Sequence, residues 1–251
     1  MRTNHIKERM ARGEACRGLW LNVPSMATAR LIARLPLDWM LVDMEHAPMT
    51  VEIMFQMVST IIDAHGPAPF VRLPEAVPAY VKYALDAGAW GIIAPMVNSR
   101  AQAETVVQAA KYPPHGQRSY GGPWVGLTFE LDNPAYYRQA NQQTLAGVQI
   151  ESQTALDNLE AILSVPNLDM VYVGPVDLSL SLGLDPTPEQ DAPPFMAAID
   201  RILEAARRYR LPAGIYCSNA ASAAERIRQG FQFVNVGADT GALLNGIRAQ
   251  L

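Results

Sequence analysis

The chain has 251 residues, of which 49% are hydrophobic and 18% charged, and its formal net charge at pH 7 is −4. This length and composition suit one large α/β barrel or two small domains with a sizeable core, and they argue against a disordered chain. The negative charge argues against binding to nucleic acid or to an anionic membrane surface.

The N-terminal stretch, residues 1–15, is polar, has a helical pattern and does not resemble a signal peptide. No apolar run approaches the ~20 residues that a membrane span needs. The two cysteines, Cys16 and Cys217, lie far apart in apolar, strand-like stretches, which indicates buried thiols rather than a disulfide. These features predict a protein of the reducing cytoplasm.

Short apolar runs then alternate with amphipathic segments along the rest of the chain. Each run is predicted to be a strand buried on both faces, and the runs are residues 18–23, 39–44, 69–73, 91–96, 146–151, 170–175, 213–217 and 233–237. Helical patterns follow most of them, at residues 25–35, 50–66, 78–88, 99–112, 152–163, 193–210 and 219–230. This alternation predicts a single α/β domain over residues 1–251, a (β/α)8 TIM barrel. The alternative, an open doubly wound sheet, lacks the glycine-rich phosphate turn expected after its first strand.

One connection, at about residues 111–144, is too long for a simple turn and is predicted to be an ordered insertion with a helix near residues 133–143. Insertions of this length usually serve as lids or oligomer contacts. Tyr120 and Trp124 would be hard to bury in a monomer, so they favour an oligomer contact in which a neighbouring subunit closes one side of the pocket.

Polar side chains gather at the predicted carboxyl ends of the strands, where the active site of such a barrel is built. They are Asp43, Glu45, His46, Arg72, Gln149, Glu151, Asp177, Ser218, Asn219 and Asp239. Two separated carboxylates suit a hard divalent cation, an arginine stabilises an anionic oxygen, and a histidine moves protons near neutral pH. The stretch "VGPVDLS" adds a tight turn whose backbone N–H groups can hold a carboxylate. Together these groups suit the formation and quenching of an enolate.

Each residue taken alone also has a structural explanation. His46 could be a histidine that is hydrogen-bonded at a strand end. Arg72 could have no role other than an ion pair with Asp43 or Asp86. Glu151 could be an acid favoured by a helix N-terminus.

Asp177 could cap a short helix, and strand alternation could point Glu45 away from the pocket. The functional interpretation therefore depends on the convergence of these residues rather than on any one of them.

Several stretches resemble the HpcH/HpaI aldolase family, the class II hydroxy-ketoacid (pyruvate) aldolases of the phosphoenolpyruvate/pyruvate barrel superfamily. The resemblance runs from about residue 17 to about residue 245 and includes "LDWMLVDMEHAPMT", "VQIESQTALDNLEAI" and "VYVGPVDLSLSLG". The combination of D-x-E-H-x-P, Q-x-E and G-P-x-D-L-S in this order is specific. Val176 departs from the family pattern, in which alanine precedes the metal-binding aspartate, and its larger side chain would narrow the pocket.

The resemblance implies a role for each matching residue. Glu151 and Asp177 would hold a divalent metal ion, Mg²⁺, Mn²⁺ or Co²⁺. His46 would be the general base, oriented by Asp43 in a dyad and made more basic by Asp86. Arg72 would stabilise a pyruvate enolate. The implied substrate contacts are Gln149, Gly174, Pro175, Val176, Asp177, Arg72 and Trp20.

The resemblance also implies an activity and an assembly. The enzyme would cleave 4-hydroxy-2-oxo acids to a 2-oxo acid, pyruvate or hydroxypyruvate, and an aldehyde, and would run the reverse aldol addition, as in aromatic-compound degradation. The assembly would be a homohexamer, a trimer of dimers that exchange the C-terminal helix.

Two alternatives remain, an acyl-CoA lyase of the citrate lyase beta or malyl-CoA type and a non-catalytic barrel. A Schiff-base aldolase is excluded because none of the lysines, Lys7, Lys82 and Lys111, ends a predicted strand.

Overall fold

A computed structural model of the chain describes residues 3–251. Eight parallel strands form a closed barrel in chain order, and the last strand pairs with the first. The strands are β1 (Cys16–Leu21), β2 (Trp39–Asp43), β3 (Ala68–Arg72), β4 (Gly91–Ala94), β5 (Leu145–Ile150), β6 (Met170–Val173), β7 (Ala213–Ile215) and β8 (Phe233–Ala238). The predicted (β/α)8 barrel is therefore confirmed.

Helices connect the strands and cover the barrel. They are α1 (His5–Ala11), α2 (Met26–Ile32), α3 (Val51–Asp63), α4 (Pro78–Asp86), α5 (Arg100–Ala110), α6 (Trp124–Thr128), α7 (Asn133–Gln143), α8 (Gln153–Asp157), α9 (Leu159–Leu163), α10 (Pro175–Ser181), α11 (Pro193–Tyr209), α12 (Ala220–Gln229) and α13 (Asp239–Arg248). Several begin at a residue whose side chain accepts a backbone N–H of the first turn, as Ser25, Thr50 and Asn219 do. None of the described helices is both long and apolar enough to cross a membrane.

Aromatic side chains fill the amino end of the barrel interior. The ring of Trp39 stacks on Phe233 with centroids 4.0 Å apart, and Phe70 meets Phe233 edge-on at 5.0 Å. Gly18 makes room for this cluster, since a Cβ at that position would lie 2.0 Å from the Trp39 ring. Ile6 of α1 is buried in the same cluster. The aromatic cluster closes the amino end of the barrel interior, and the interior stays open at its carboxyl end.

The insertion lies at the amino end of the barrel. Helix α5 runs back from the carboxyl end of β4, and β5 then starts at the amino end, so residues 111–144 connect two points on that side. Helices α6 and α7 pack around Phe129 and Tyr136, whose rings stack at 5.3 Å. The Lys111 ammonium, buried beneath them, donates to the carbonyl of Thr144 at 2.8 Å. The insertion is therefore not a lid over the carboxyl end of its own barrel.

Helix α13 covers little of its own barrel. Its first residue, Asp239, is buried and accepts the backbone N–H groups of Asn22 and Val23 at 2.8 and 3.0 Å. Most of the rest of the helix is exposed, including Leu243 at 58% and Leu244 at 53%. The start of α13 is thus fixed to the turn after β1, whereas its apolar side chains remain uncovered in the single chain.

Candidate active site

A cavity of about 440 Å³ opens at the carboxyl end of the barrel. The residues that line it come from the ends of the strands and the turns that follow them. They are Trp20, Asn22, Asp43, His46, Arg72, Gln149, Tyr172, Gly174, Pro175, Val176, Asp177, Pro188 and Tyr216. Most of the residues predicted from the sequence therefore meet in one place. Glu45 and Glu151 lie beside the cavity wall, and Asp86 does not belong to it.

Arg72 and Asp43 form the central ion pair of the cavity. They face each other because β2 and β3 pair in a register that sets Asp43 opposite Arg72. Arg72 donates from Nε to Asp43 Oδ1 at 2.8 Å and from Nη2 to Asp43 Oδ2 at 2.6 Å. Although burial alone favours the neutral acid, the hydrogen bonds and charge of Arg72 hold the pKa of Asp43 below its usual value. The guanidinium also lies over the Trp20 ring, 5.0 Å from its centroid.

Asn22 adds a contact that the sequence analysis did not predict. Its side-chain amide donates to Asp43 Oδ2 at 2.7 Å, and its backbone N–H donates to Asp239. Asn22 therefore connects the start of α13 with the Asp43–Arg72 pair. Its position directly after β1 was the only sequence signal that could have identified it.

Glu45 turns toward the site, whereas strand alternation had suggested that it points away. The alternation does not apply because β2 ends at Asp43 and the chain bends over the next residues. Glu45 Oε2 lies 3.0 Å from Arg72 Nη1 and 3.8 Å from His46 Nε2. Burial raises the pKa of Glu45 to about 7, with Arg72 opposing the shift and Asp43 and Asp177 adding to it.

His46 projects into the mouth of the cavity with 61% of its side chain exposed. The predicted dyad of Asp43 and His46 does not form through the imidazole. Asp43 instead accepts the backbone N–H of His46 at 3.4 Å, while its carboxylate is occupied by Arg72 and Asn22. The carboxylate nearest to the imidazole is that of Glu45.

Asp86 is far from His46 within one chain. It is the last residue of α4, which runs back from the carboxyl end of β3, so it lies at the amino end of the barrel. There it accepts a hydrogen bond from Arg118 Nη2 at 2.7 Å. The predicted effect of Asp86 on His46 therefore cannot arise within a single subunit.

Glu151 and Asp177 supply the candidate metal ligands. Glu151 follows β5 and is 3% exposed, and its Oε1 accepts the backbone N–H of Met96 at 2.7 Å. Burial, together with the charges of Glu45 and Asp177, raises the pKa of Glu151 to about 7, although the hydrogen bonds from Met96 and Gln149 oppose the shift. Asp177 lies in the first turn of α10 and lines the cavity without capping that helix through its side chain.

These residues fit a divalent cation. A positive ion would relieve the repulsion that favours the neutral form of Glu151, and carboxylate oxygens are the ligands that Mg²⁺ and Mn²⁺ prefer. The side-chain oxygen of Gln149, which lies beside Glu151, is buried and has no hydrogen-bond partner. Residues 3–251 contain no cluster of three acidic, histidine or cysteine ligands. The two acids would thus leave much of the coordination sphere to water and substrate oxygens.

Aromatic and apolar side chains form the other wall of the cavity. Tyr216 meets Trp20 edge-on with ring centroids 5.5 Å apart, and Tyr172 lies 5.6 Å from Trp20. Pro188, from the connection between α10 and α11, completes this wall. Of these residues, only Trp20 was predicted from the sequence. Tyr216 directly follows β7, and this position at a strand end is the sequence signal that could have identified it.

The lysines lie away from this cavity. Lys7 and Lys111 both form ion pairs with Asp169, which precedes β6 at the amino end of the barrel. Lys82 is exposed on α4. None of the residues that line the described cavity is a lysine.

Comparison with known proteins agrees with this geometry. The family model described as HpcH/HpaI aldolase/citrate lyase matches residues 17–246. A hydroxypyruvate/pyruvate aldolase from Rhizorhabdus wittichii is 36% identical over 89% of this chain and 88% of its own. A 2-keto-3-deoxy-L-rhamnonate aldolase from Salmonella gallinarum is 38% identical over 95% of this chain and 88% of its own.

The solved structures agree as well. The crystal structure of an HpcH/HpaI aldolase/citrate lyase family protein from Burkholderia cenocepacia superimposes with a TM-score of 0.90. It is 32% identical, and the match covers 99% of this chain and 98% of that one. Because it is similar to these aldolases over most of its length, the protein is a carbon–carbon lyase. The chain belongs to the HpcH/HpaI aldolase/citrate lyase family.

Proposed function

We propose that this protein is a divalent-metal-dependent aldolase that cleaves 4-hydroxy-2-oxo acids to a 2-oxo acid, pyruvate or hydroxypyruvate, and an aldehyde. The observation that carries the proposal is the meeting of Glu151 and Asp177 with the Asp43–Arg72 pair and His46 around one cavity. The names of the aldolase relatives support the substrate class. The same site would run the reverse aldol addition.

Glu151 and Asp177 would hold Mg²⁺, Mn²⁺ or Co²⁺, which as a Lewis acid would polarise the 2-oxo group and acidify C3. Arg72, held in place by Asp43, would donate hydrogen bonds to the oxygen that becomes negative as the C3–C4 bond breaks. His46 would take the proton of the C4 hydroxyl. Gln149, Trp20 and the turn at residues 174–177 would position the 2-oxo acid.

The decisive experiment measures release of the 2-oxo acid from a panel of 4-hydroxy-2-oxo acids, with and without a chelator. We expect cleavage that depends on added divalent metal, and loss of cleavage in Glu151→Gln and Asp177→Asn. Asp200→Asn, at an exposed acid on α11, is the matched control and should keep full activity. Undiminished activity after verified removal of the metal would contradict the proposal.

The acyl-CoA lyase alternative is tested in the same assay. Malyl-CoA and citramalyl-CoA are offered beside the free 4-hydroxy-2-oxo acids, and preferential cleavage of the thioesters would replace our assignment. A protein that binds no metal in a titration and cleaves neither class would support the non-catalytic barrel.

We also propose that the active unit is a homo-oligomer, a hexamer built as a trimer of dimers, in which α13 packs on a neighbouring subunit. The exposed leucines of α13 support this assembly, as do Tyr120 and Trp124 of the insertion, which are 57% and 63% exposed. An effect of Asp86 on His46 would then require Asp86 to come from a neighbouring subunit.

A further inference from the structure

The carboxylate of Asp43 has no free position for the imidazole of His46. Oδ1 accepts Arg72 Nε at 2.8 Å and the backbone N–H groups of Glu45 and His46 at 3.0 and 3.4 Å. Oδ2 accepts Arg72 Nη2 at 2.6 Å and Asn22 Nδ2 at 2.7 Å. The side chain is fully buried. Because all these donors are N–H groups, they bind the ionised carboxylate, and Asp43 is a poor proton acceptor.

Glu45 has the opposite character. Its Oε2 is buried but makes no hydrogen bond, although it lies 3.0 Å from Arg72 Nη1. The same oxygen is 3.8 Å from His46 Nε2. Since the His46 side chain is 61% exposed, a small rotation can bring its ring into hydrogen-bond distance. Glu45 therefore has a buried oxygen that makes an ion pair with Arg72 but no hydrogen bond, and this oxygen lies near the imidazole.

A simpler explanation is that Glu45 only neutralises Arg72. Asp43 already gives that guanidinium a two-point partner, however, and a second buried acid adds negative charge to a region that holds Glu151 and Asp177. Burying a second ionised carboxylate there is costly, so neutralisation of Arg72 alone does not explain Glu45.

The charged groups near Glu45 come from four parts of the barrel. They are Arg72 at the end of β3, Asp43 and His46 at and after the end of β2, Asp177 in α10 and Glu151 directly after β5. In their net field, burial raises the pKa of Glu45 to about 7, so both of its protonation states are accessible near neutral pH.

We propose that Glu45, and not Asp43, is the carboxylate that exchanges a proton with His46, so that Glu45 and His46 form the acid–base pair of the site. Asp43 is then a positioning residue for Arg72. The proposal rests on the aldolase function given above and assigns the proton path within it.

In cleavage, the C4 hydroxyl gives its proton to the His46 imidazole. The electron pair of the C3–C4 bond passes to the 2-oxo acid fragment as an enolate, and the C4–O bond becomes the aldehyde carbonyl. The imidazolium passes the proton to Glu45, which returns it through His46 when the enolate is protonated at C3. No proton is gained or lost in the cycle, and no further reactant is needed.

The test measures the carbethoxylation of His46 by diethylpyrocarbonate as a function of pH in the full-length protein. Only the neutral imidazole reacts, and peptide mass mapping separates His46 from His5, His65 and His115. Replacing the ionisable Glu45 by a neutral amide in Glu45→Gln should move the onset of His46 labelling to lower pH, by at most on the order of one pH unit, which is the effect of a full charge at about 4 Å. Asp43→Asn, the matched control, should leave the onset in place while reducing aldol cleavage through Arg72.

The acid limb of the pH–rate profile for cleavage should shift in Glu45→Gln in the same direction as the labelling. An onset that stays at the wild-type pH in Glu45→Gln, or that moves as far in Asp43→Asn, would overturn the proposal.

If Asp43→Asn does not fold, Glu45→Asp replaces it as the second variant. Because this variant keeps the charge, its onset should lie closer to that of the wild type than the onset of Glu45→Gln does, and an equal shift would overturn the proposal. The labelling does not require turnover, so it gives its answer even if no 4-hydroxy-2-oxo acid is cleaved.

Discussion

Asp43 fixes the orientation of the Arg72 guanidinium in the cavity. A buried guanidinium needs a partner that satisfies its charge and fixes its plane, and the two-point contact with Asp43 does both. Asn22 holds the same carboxylate from the other side. The arginine is thus oriented before any substrate arrives, and this preorganisation is what makes a hydrogen-bond donor effective against a developing negative charge.

The first prediction concerns this arginine. Arg72→Ala should lower aldol turnover by roughly two to four orders of magnitude, because it removes the donor that faces the developing enolate oxygen. Exchange of the pyruvate methyl protons with solvent should fall with it, and both are measured by steady-state kinetics and proton NMR. Arg72→Lys should restore little, since an ammonium cannot reproduce the planar two-point contact with Asp43. A variant that loses only apparent affinity would assign Arg72 to binding alone.

The sequence predicted which residues meet at the cavity but not the orientation of each side chain. The convergence of His46, Arg72 and Asp177 follows from barrel topology, which brings the ends of all strands together. The orientation of Glu45 could not be derived, because it lies beyond the end of β2, where alternation no longer applies. Asp86 was assigned from family resemblance alone, and the antiparallel return of α4 puts it at the opposite end of the barrel.

At the scale of elements, the junction between β6 and α10 keeps the candidate metal ligands in place. A Cβ on Gly174 would lie 2.2 Å from Glu151 Oε2 and 2.7 Å from Gln149 Nε2. Real contacts of this kind do not occur, so a larger residue must displace both side chains. The glycine here is required by the close approach of β5 to the turn rather than by its own backbone conformation.

The second prediction follows from that contact. Gly174→Ala should keep the barrel fold but weaken Mn²⁺ binding, because the methyl group would displace the Glu151 carboxylate. Calorimetric titration with Mn²⁺ measures the affinity, and circular dichroism checks the fold. Gly122→Ala, whose Cβ would meet only Trp124 at an ordinary 3.7 Å, is the matched control and should bind Mn²⁺ as the wild type does. Equal affinities in the two variants would mean that Glu151 is not a ligand.

The elements themselves were largely predictable, because strands buried on both faces and capped amphipathic helices leave strong periodic signals. The helix predicted near residues 133–143 matches α7. The predicted helix at residues 152–163 is instead broken at Asn158 into α8 and α9. Short helices such as α6 have too few residues to show a period, and their formation depends on tertiary packing.

At the scale of the whole molecule, the exposed face of α13 leads to the third prediction. Leu244 and Ile247 are 53% and 52% exposed, and a charge on each should prevent their burial against a second subunit. The double variant Leu244→Asp/Ile247→Asp should therefore have a lower mass by multi-angle light scattering than the wild type at the same concentration. Leu251→Asp, at a fully exposed leucine beyond α13, is the control and should keep the wild-type mass. A wild type that is already monomeric and active would contradict the proposed assembly.

Folding stability should also depend on the buried acid Glu151. Burial raises its pKa from 4.5 to about 7, so the folded protein binds its proton more tightly than the unfolded chain does. The stabilisation from this group is complete below about pH 4.5 and is lost as the pH rises through about 7. A divalent cation that binds only the folded protein should restore the lost stability, because it favours the ionised carboxylate.

The last prediction compares the metal-free wild type with Glu151→Gln, in which this position stays neutral at every pH. The wild type should lose stability relative to the variant between about pH 4.5 and pH 7, by at most on the order of 3 kcal/mol. Urea denaturation at a series of pH values measures the difference, and the comparison removes the contribution of other titrating groups. Adding Mn²⁺ above pH 7 should stabilise the wild type much more than Glu151→Gln. A difference in stability that does not vary with pH would show that Glu151 ionises normally in the folded protein, and an equal response to Mn²⁺ would place the metal elsewhere.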